Sequence, residues 1–222
     1  MTRSKIVQRE LEFVSWGGAR EGAGRKRKSD RPSVPHSRRP ALAARHPVHV
    51  TLRIAQGLPY MRNGRIYGLL KQAFRAGRER FGFRLVHFAV LSNHVHLVVE
   101  AEGSVSLSRG MQGLAVRMAR ALNRAWRRAG SVFDGRYHAH VLRTPREVRN
   151  ALAYVLGNAR KHGAWLRRGA VDPFSSAMWF DGWSNGRRGF SHEDGDAPVA
   201  RARTWLLGMG WRRQGAIPLV PA

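Results

Sequence analysis

The chain has 222 residues, with 40 lysines and arginines against 14 acids, a formal charge of +26 and no cysteine. Without cysteine there are no disulfides and no thiolate metal site, so any metal must be held by nitrogen and oxygen donors. The charge balance points to a polyanion, above all nucleic acid, while the lack of a long apolar run, lipidation signal or signal-peptide core argues against a membrane partner and for the cytoplasm.

Residues 1–45 read as a basic, largely disordered arm. Glycines alternate there with Arg20, Arg25, Lys26, Arg27 and Lys28, and Pro32, Pro35 and Pro40 follow. Too few apolar side chains are present to bury a core, and such an arm suits phosphate contacts. From Val48 the pattern changes. Val48, Val50, Leu52 and Ile54 alternate with His49, Thr51 and Arg53, the period of a half-buried strand. Residues 65–80 place Ile66, Leu69, Leu70, Ala73 and Phe74 at helical spacing, and Gly82 ends that helix. Residues 83–91 form a second strand. Ser92-Asn93 turns into a third, which starts at His94. A long helix is predicted over 108–128, with Met111, Leu114, Met118 and Leu122 on one side and Arg117, Arg120, Arg124, Arg127 and Arg128 on the other. Residues 138–143 form a fourth strand. The order β-α-β-β-α-β predicts an α+β, ferredoxin-like (split βαβ) fold: one antiparallel sheet, two helices on one face and the other face open.

His94 and His96 flank one valine, so in a strand both imidazoles project from one face while Val95, Leu97 and Val99 enter a core. Such a pair is either two polar positions on a half-exposed strand or two ligands of a divalent metal. Arg53, by the same alternation in the first strand, shares that face. Thr144-Pro145-Arg146-Glu147 starts a further helix with a capping box. At about 100° per residue, Asn150, Tyr154, Asn158 and Lys161 form one polar stripe and Val148, Leu152, Val155 and Leu156 the opposite, apolar one. His138 and His140 make a second His-x-His, read as loop or DNA-contacting groups.

His94-Val95-His96 in a strand, followed about sixty residues later by a helix bearing Tyr154, resembles the HUH single-tyrosine transposases of the IS200 type, and within them the REP-associated tyrosine transposases. The likeness includes His49-Val50-Thr51, Leu91-Ser92-Asn93, Val132-Phe133-Asp134-Gly135-Arg136-Tyr137, Tyr154-Val155-Leu156-Gly157-Asn158 and Asp172-Pro173-Phe174-Ser175-Ser176. It spans residues 46–180, which are expected to be the catalytic domain; residues 181–222 match no known pattern and are set apart as a C-terminal extension. One departure stands out: family members often carry Asn-Pro where this chain has Asn158-Ala159.

The resemblance implies cleavage and rejoining of single-stranded DNA at hairpin-forming sites. Tyr154 would be the nucleophile and the product a 5′-phosphotyrosine. His94, His96 and Asn158 would hold a divalent metal, Mg²⁺ or Mn²⁺. Tyr137 is a rival nucleophile by position. DNA contacts are expected from the arm, from Arg53, Arg117, Arg120 and Arg124, and from Arg136, Tyr137 and Lys161. The implied partner is single-stranded or hairpin DNA, bound by a monomer or homodimer in the bacterial cytoplasm, associated with the nucleoid. Two alternatives differ in class: a non-catalytic nucleic-acid-binding module on the same fold, and a metallohydrolase that works without a tyrosine intermediate.

Overall fold

The computed structural model describes residues 41–161, 170–184 and 197–219. The basic arm, with Arg20, Arg25, Lys26, Arg27 and Lys28, lies outside the described residues, as does the side chain of Lys161.

Four strands, β1 (Val48–Arg53), β3 (Phe83–Val90), β4 (His94–Ala101) and β5 (His138–Val141), join a two-residue β2 (Glu79–Arg80) in one antiparallel sheet. The order is β2-β3-β4-β1-β5. β4 thus lies between β1 and β3, the arrangement that a split βαβ unit produces. Helix α1 (Gly64–Gly77) is shorter than the expected 65–80. Its last expected residues are drawn into β2, because Phe81 and Gly82 both adopt left-handed backbone angles and close a tight two-residue hairpin into β3. Helix α2 (Ser104–Ala125) starts four residues before the predicted position, since the serines that read as loop already belong to its first turn. It ends before Arg127, whose φ of 50° lies in the left-handed region, so Arg127 and Arg128 are not on the helical stripe. Gly110 brings α2 directly onto Phe83, where a Cβ would collide with the ring.

One face of the sheet matches the sequence pattern. Val48, Val50, Leu52, Leu85, Phe88, Val95, Leu97 and Val99 bury against Ile66, Leu70 and Phe74 of α1 and Met111, Leu114, Met118 and Leu122 of α2. The other face is not open, as expected from the sequence, but covered. Helix α3 (Pro145–Lys161) and segments from 170–184 and 197–219 pack there, joining Ala89 and Val98 to Val148, Leu152, Val155, Leu156, Phe180, Trp183, Leu206, Leu207 and Trp211. These segments form single turns: 3₁₀ turns at Ser176–Trp179 and Gly210–Gln214, and α4 (Trp205–Gly208). Such short pieces carry no periodicity by which a sequence could announce them. Glu100, buried near the end of β4, fastens the last segment. It accepts bonds from the backbone N–H of Arg203 and Thr204, the Thr204 hydroxyl and the Arg84 guanidinium. His138 and His140 are on β5, an edge strand, and not in a loop; they pair across from Thr51 and His49.

The capping box of α3 forms in full. Glu147 Oε2 accepts from the backbone N–H of Arg143 (2.6 Å) and Thr144 (3.0 Å), and Thr144 Oγ1 accepts from Glu147 N–H. The Arg143 N–H bond, followed by the Thr144 bonds, holds the Glu147 carboxyl below its ordinary range. A carboxylate with a depressed native pKa stabilises the fold fully above its unfolded pKa and loses that contribution as pH falls through the native value. Glu147→Gln is therefore expected to lower the thermal midpoint at pH 7 and to converge with the parent as pH falls through the depressed native pKa of Glu147. Melting curves across that range measure this.

Candidate functional site

The site is at one end of the sheet on its α3 face. Register pairs Arg53 with His94 and Thr51 with His96, so these four side chains share that face. His94 Nδ1 is 2.8 Å from Asn93 Oδ1, and its Nε2 faces His96 Nε2 at 3.1 Å. His96 Nδ1 is 3.1 Å from both His49 Nε2 and Thr51 Oγ1. Burial first, then the nearby imidazoles of His140 and His138, push His49 down to about 4, so it is neutral at pH 7. In the tautomer in which each ring donates its Nδ1–H outward, to Asn93 from His94 and to Thr51 or His49 from His96, both Nε2 atoms carry lone pairs; in the other, one Nε2–H donates to its neighbour. In the first, two lone pairs facing each other at this distance call for a shared proton or cation.

Tyr154 comes to this pair from α3. Its half-buried ring stands edge-on to His96, centroids 5.1 Å apart, and to His49, 5.9 Å apart. The polar stripe and apolar stripe of α3 divide as the spacing predicts: Val148, Leu152, Val155 and Leu156 are buried in the second core. Asn158, one turn beyond Tyr154, has no exposed surface, and neither its Oδ1 nor its Nδ2 has a hydrogen-bond partner among the described residues. The helix runs on through Ala159 to Lys161, because alanine keeps the backbone N–H that a proline there would remove.

Among the described residues, no three His, Cys, Asp or Glu side chains gather as a metal site. The donor set nevertheless fits a divalent ion. Two nitrogens bound at about 2.1 Å and at right angles would be about 3 Å apart, close to the observed separation of the two Nε2 atoms. The buried amide of Asn158 has an oxygen with nothing among the described residues to satisfy it, an uncommon condition for a buried polar group.

The remaining positions scatter. Arg53 is exposed beside His94, and Arg136 is half-buried just before β5. Arg117, Arg120 and Arg124 are on α2, the layer on the other side of the sheet from the histidines. The first two border an open groove of about 600 Å³ with Phe81 and Arg109. Tyr137, partly buried, packs against the first core with its hydroxyl buried. The structure adds His49, Thr51 and Asn93 as partners of the histidine pair. Alternation in β1 places the first two on the right face, but no local signal assigns them to His96. No helix among the described residues is long and apolar enough to cross a membrane.

The family model of IS200-like transposases matches residues 45–157, just over half of the chain. Among solved structures, the chain is similar to a REP-associated tyrosine transposase bound to a REP hairpin, with a TM-score of 0.50 and 17% identity over 64% of this chain and 82% of that one. A weaker likeness, TM-score 0.38 and 16% identity over 50% of this chain and 87% of the other, is to a protein of Deinococcus radiodurans R1 described as a transposase. No curated protein matches the chain in sequence. The family match covers β1 through the Tyr154 turn of α3, the stretch that supplies the sheet, the histidine pair and the tyrosine, and the chain belongs to the IS200-like family of transposases.

Proposed function

We propose that this transposase cleaves and rejoins single-stranded DNA at hairpin-bearing sites through a 5′-phosphotyrosine on Tyr154. The observation that carries the reading is the Tyr154 ring standing edge-on to His96, whose Nε2 faces that of His94, at the sheet end. His94, His96 and Asn158 would hold a divalent metal, Mg²⁺ or Mn²⁺. When bound, that ion supplies Lewis-acid polarisation of the scissile phosphate. The Tyr154 oxygen attacks phosphorus once its proton has left. The new O–P bond to tyrosine replaces the bond to the 3′ oxygen, which departs, takes up a proton and becomes a free 3′-OH. Rejoining is the reverse, with the 3′-OH attacking and the phenol leaving, so no nucleotide cofactor is consumed. The edge-on packing of Tyr154 against His49 and His96 fixes its ring, and α3 is held by a formed capping box at its N-terminal end.

Arg53 beside His94 and Arg136 before β5 border this same sheet end, which suits phosphates near the cut. Arg117, Arg120 and Arg124, on the far layer, suit a more distant part of the DNA. The arm cations Arg20, Arg25, Lys26, Arg27 and Lys28 and Lys161 add phosphate contacts. The substrate class also agrees with the REP hairpin bound to the similar REP-associated tyrosine transposase.

The test incubates the protein with hairpin-bearing single-stranded DNA and Mn²⁺ or Mg²⁺ and resolves a denaturation-resistant protein–DNA adduct. Metal-dependent adduct formation supports the proposal; salt-sensitive binding with no adduct returns the chain to a binding module. One further outcome concerns the outer partners of His96. Thr51→Val removes an acceptor from Nδ1 while keeping shape, and is expected to weaken Mn²⁺ binding about tenfold by calorimetry with little change in thermal midpoint.

A further inference from the structure

The loop between β1 and α1 presents an exposed aromatic on an unusually fixed backbone. Tyr60 is 74% exposed. Its neighbour Met61 is wholly buried in the first core and donates its N–H to Ser92 O at 2.8 Å. Arg62 makes a bidentate pair with buried Asp172, both bonds 2.9 Å, reaches Val90 O and covers the Phe174 ring. Asn63 then caps α1 through the N–H groups of Arg65 and Ile66. Three successive residues are thus locked into the β3–β4 turn, the segment after residue 170 and the helix start. The tyrosine just before them is held out to solvent.

Its place matters. Ser92 precedes His94 by two residues, and Ile54, at the start of the same loop, donates to Asn93 O. Counting backbone spacings through the Met61–Ser92 bond puts the Cα of Tyr60 within about 12 Å of that of His94. Arg53, paired with His94, leads into the loop, and Arg65 follows it, exposed in the first turn of α1. Residues 53–65 and 91–99 contain no acid at all. An exposed ring on a rigid mount, beside the proposed cleavage centre and between the exposed guanidiniums of Arg53 and Arg65 in the chain, has the features of a stacking platform for an unpaired base. Little ring freedom is lost on binding, and the guanidiniums take the adjoining phosphates.

We propose that Tyr60, flanked by Arg53 and Arg65, is a nucleotide subsite that stacks the unpaired base next to the scissile phosphate and so sets where the strand is cut. This inference rests on the reading of His94, His96 and Tyr154 as the cleavage centre. Nothing in the chain pattern around Tyr60 marks it; it emerges from the mount.

The experiment measures binding by anisotropy, without metal, for the parent, Tyr60→Phe and Tyr60→Ala. The probes are hairpin oligonucleotides with a single-stranded flank carrying one abasic nucleotide at each position in turn. On the intact strand, Tyr60→Ala is expected to bind about tenfold more weakly and Tyr60→Phe within about twofold of the parent, since the ring and not the hydroxyl does the stacking. At one abasic position the parent should weaken to the level of Tyr60→Ala, and the difference between them should vanish there. Thermal midpoints should coincide, because the side chain is held out to solvent. Equal binding of Tyr60→Ala and parent overturns the subsite. So does a Tyr60→Phe as weak as Tyr60→Ala, or a loss spread evenly over all abasic positions. Adduct formation by the parent protein with metal is scored in parallel. If it fails while the abasic pattern appears, the cleavage reading falls and base stacking stands. If adducts form and Tyr60→Ala is indifferent, only the subsite falls.

Discussion

Tyr154→Phe is expected to abolish the covalent DNA adduct and to lower strand cleavage by at least about a thousandfold, with DNA binding held within about twofold. The substitution removes one oxygen atom and leaves the ring that packs edge-on against His96 and His49, so the site should keep its shape. A phenylalanine there has no lone pair to form the bond to phosphorus. Tyr137, the rival by sequence position, has its hydroxyl buried beside the first core, so Tyr137→Phe should leave adduct formation unchanged. Gel resolution of denatured complexes measures both variants. An adduct in Tyr154→Phe would remove the tyrosine from the chemistry, and cleavage without any adduct would favour hydrolysis by the histidine centre alone.

The second large effect separates stability from function at Asn158. Its amide is fully buried with neither polar atom bonded among the described residues, a condition that costs about 1–3 kcal/mol for a buried polar group. Asn158→Leu replaces the amide with an apolar side chain of similar size. It is expected to raise stability by about 1 kcal/mol, which for a chain of this length lifts the thermal midpoint by about 2–4 °C. The same change deletes the oxygen proposed as the third metal donor, and cleavage should fall by about a hundredfold or more. A readout independent of activity accompanies it: Mn²⁺ should raise the midpoint of the parent, because it binds the native state, and raise that of the variant much less. A variant that loses stability without metal would show that the amide is satisfied in the fold and overturn this assignment.

The two effects draw on different parts of the molecule. The tyrosine is partly accessible, at the sheet end. The asparagine, one turn further along α3, has no exposed surface. Residues 170–184 and 197–219 contribute Phe180, Trp183, Leu207 and Trp211 to the second core, and Glu100 binds the Arg203–Thr204 backbone. Trp183 and Trp211 are buried in this packing.

By itself the sequence determined the sheet alternation, the shared face of His94 and His96, the capped helix with Tyr154 and Asn158 on one stripe, and a family resemblance that the match over residues 45–157 bears out. Each of these is a short-range pattern, a period of two or of 3.6 or a turn signature, and such patterns survive in one dimension. Only the tertiary structure decided the rest. The partnership of His49 and Thr51 with His96 crosses 45 residues or more of chain. The covering of the second face depends on one-turn pieces with no period. The exposure of Tyr60 depends on the burial of Met61 and the pairing of Arg62 with Asp172, 110 residues away. Contacts of that range are chosen by the packing of the whole chain, where each side chain's neighbours come from distant elements, and no local propensity encodes them.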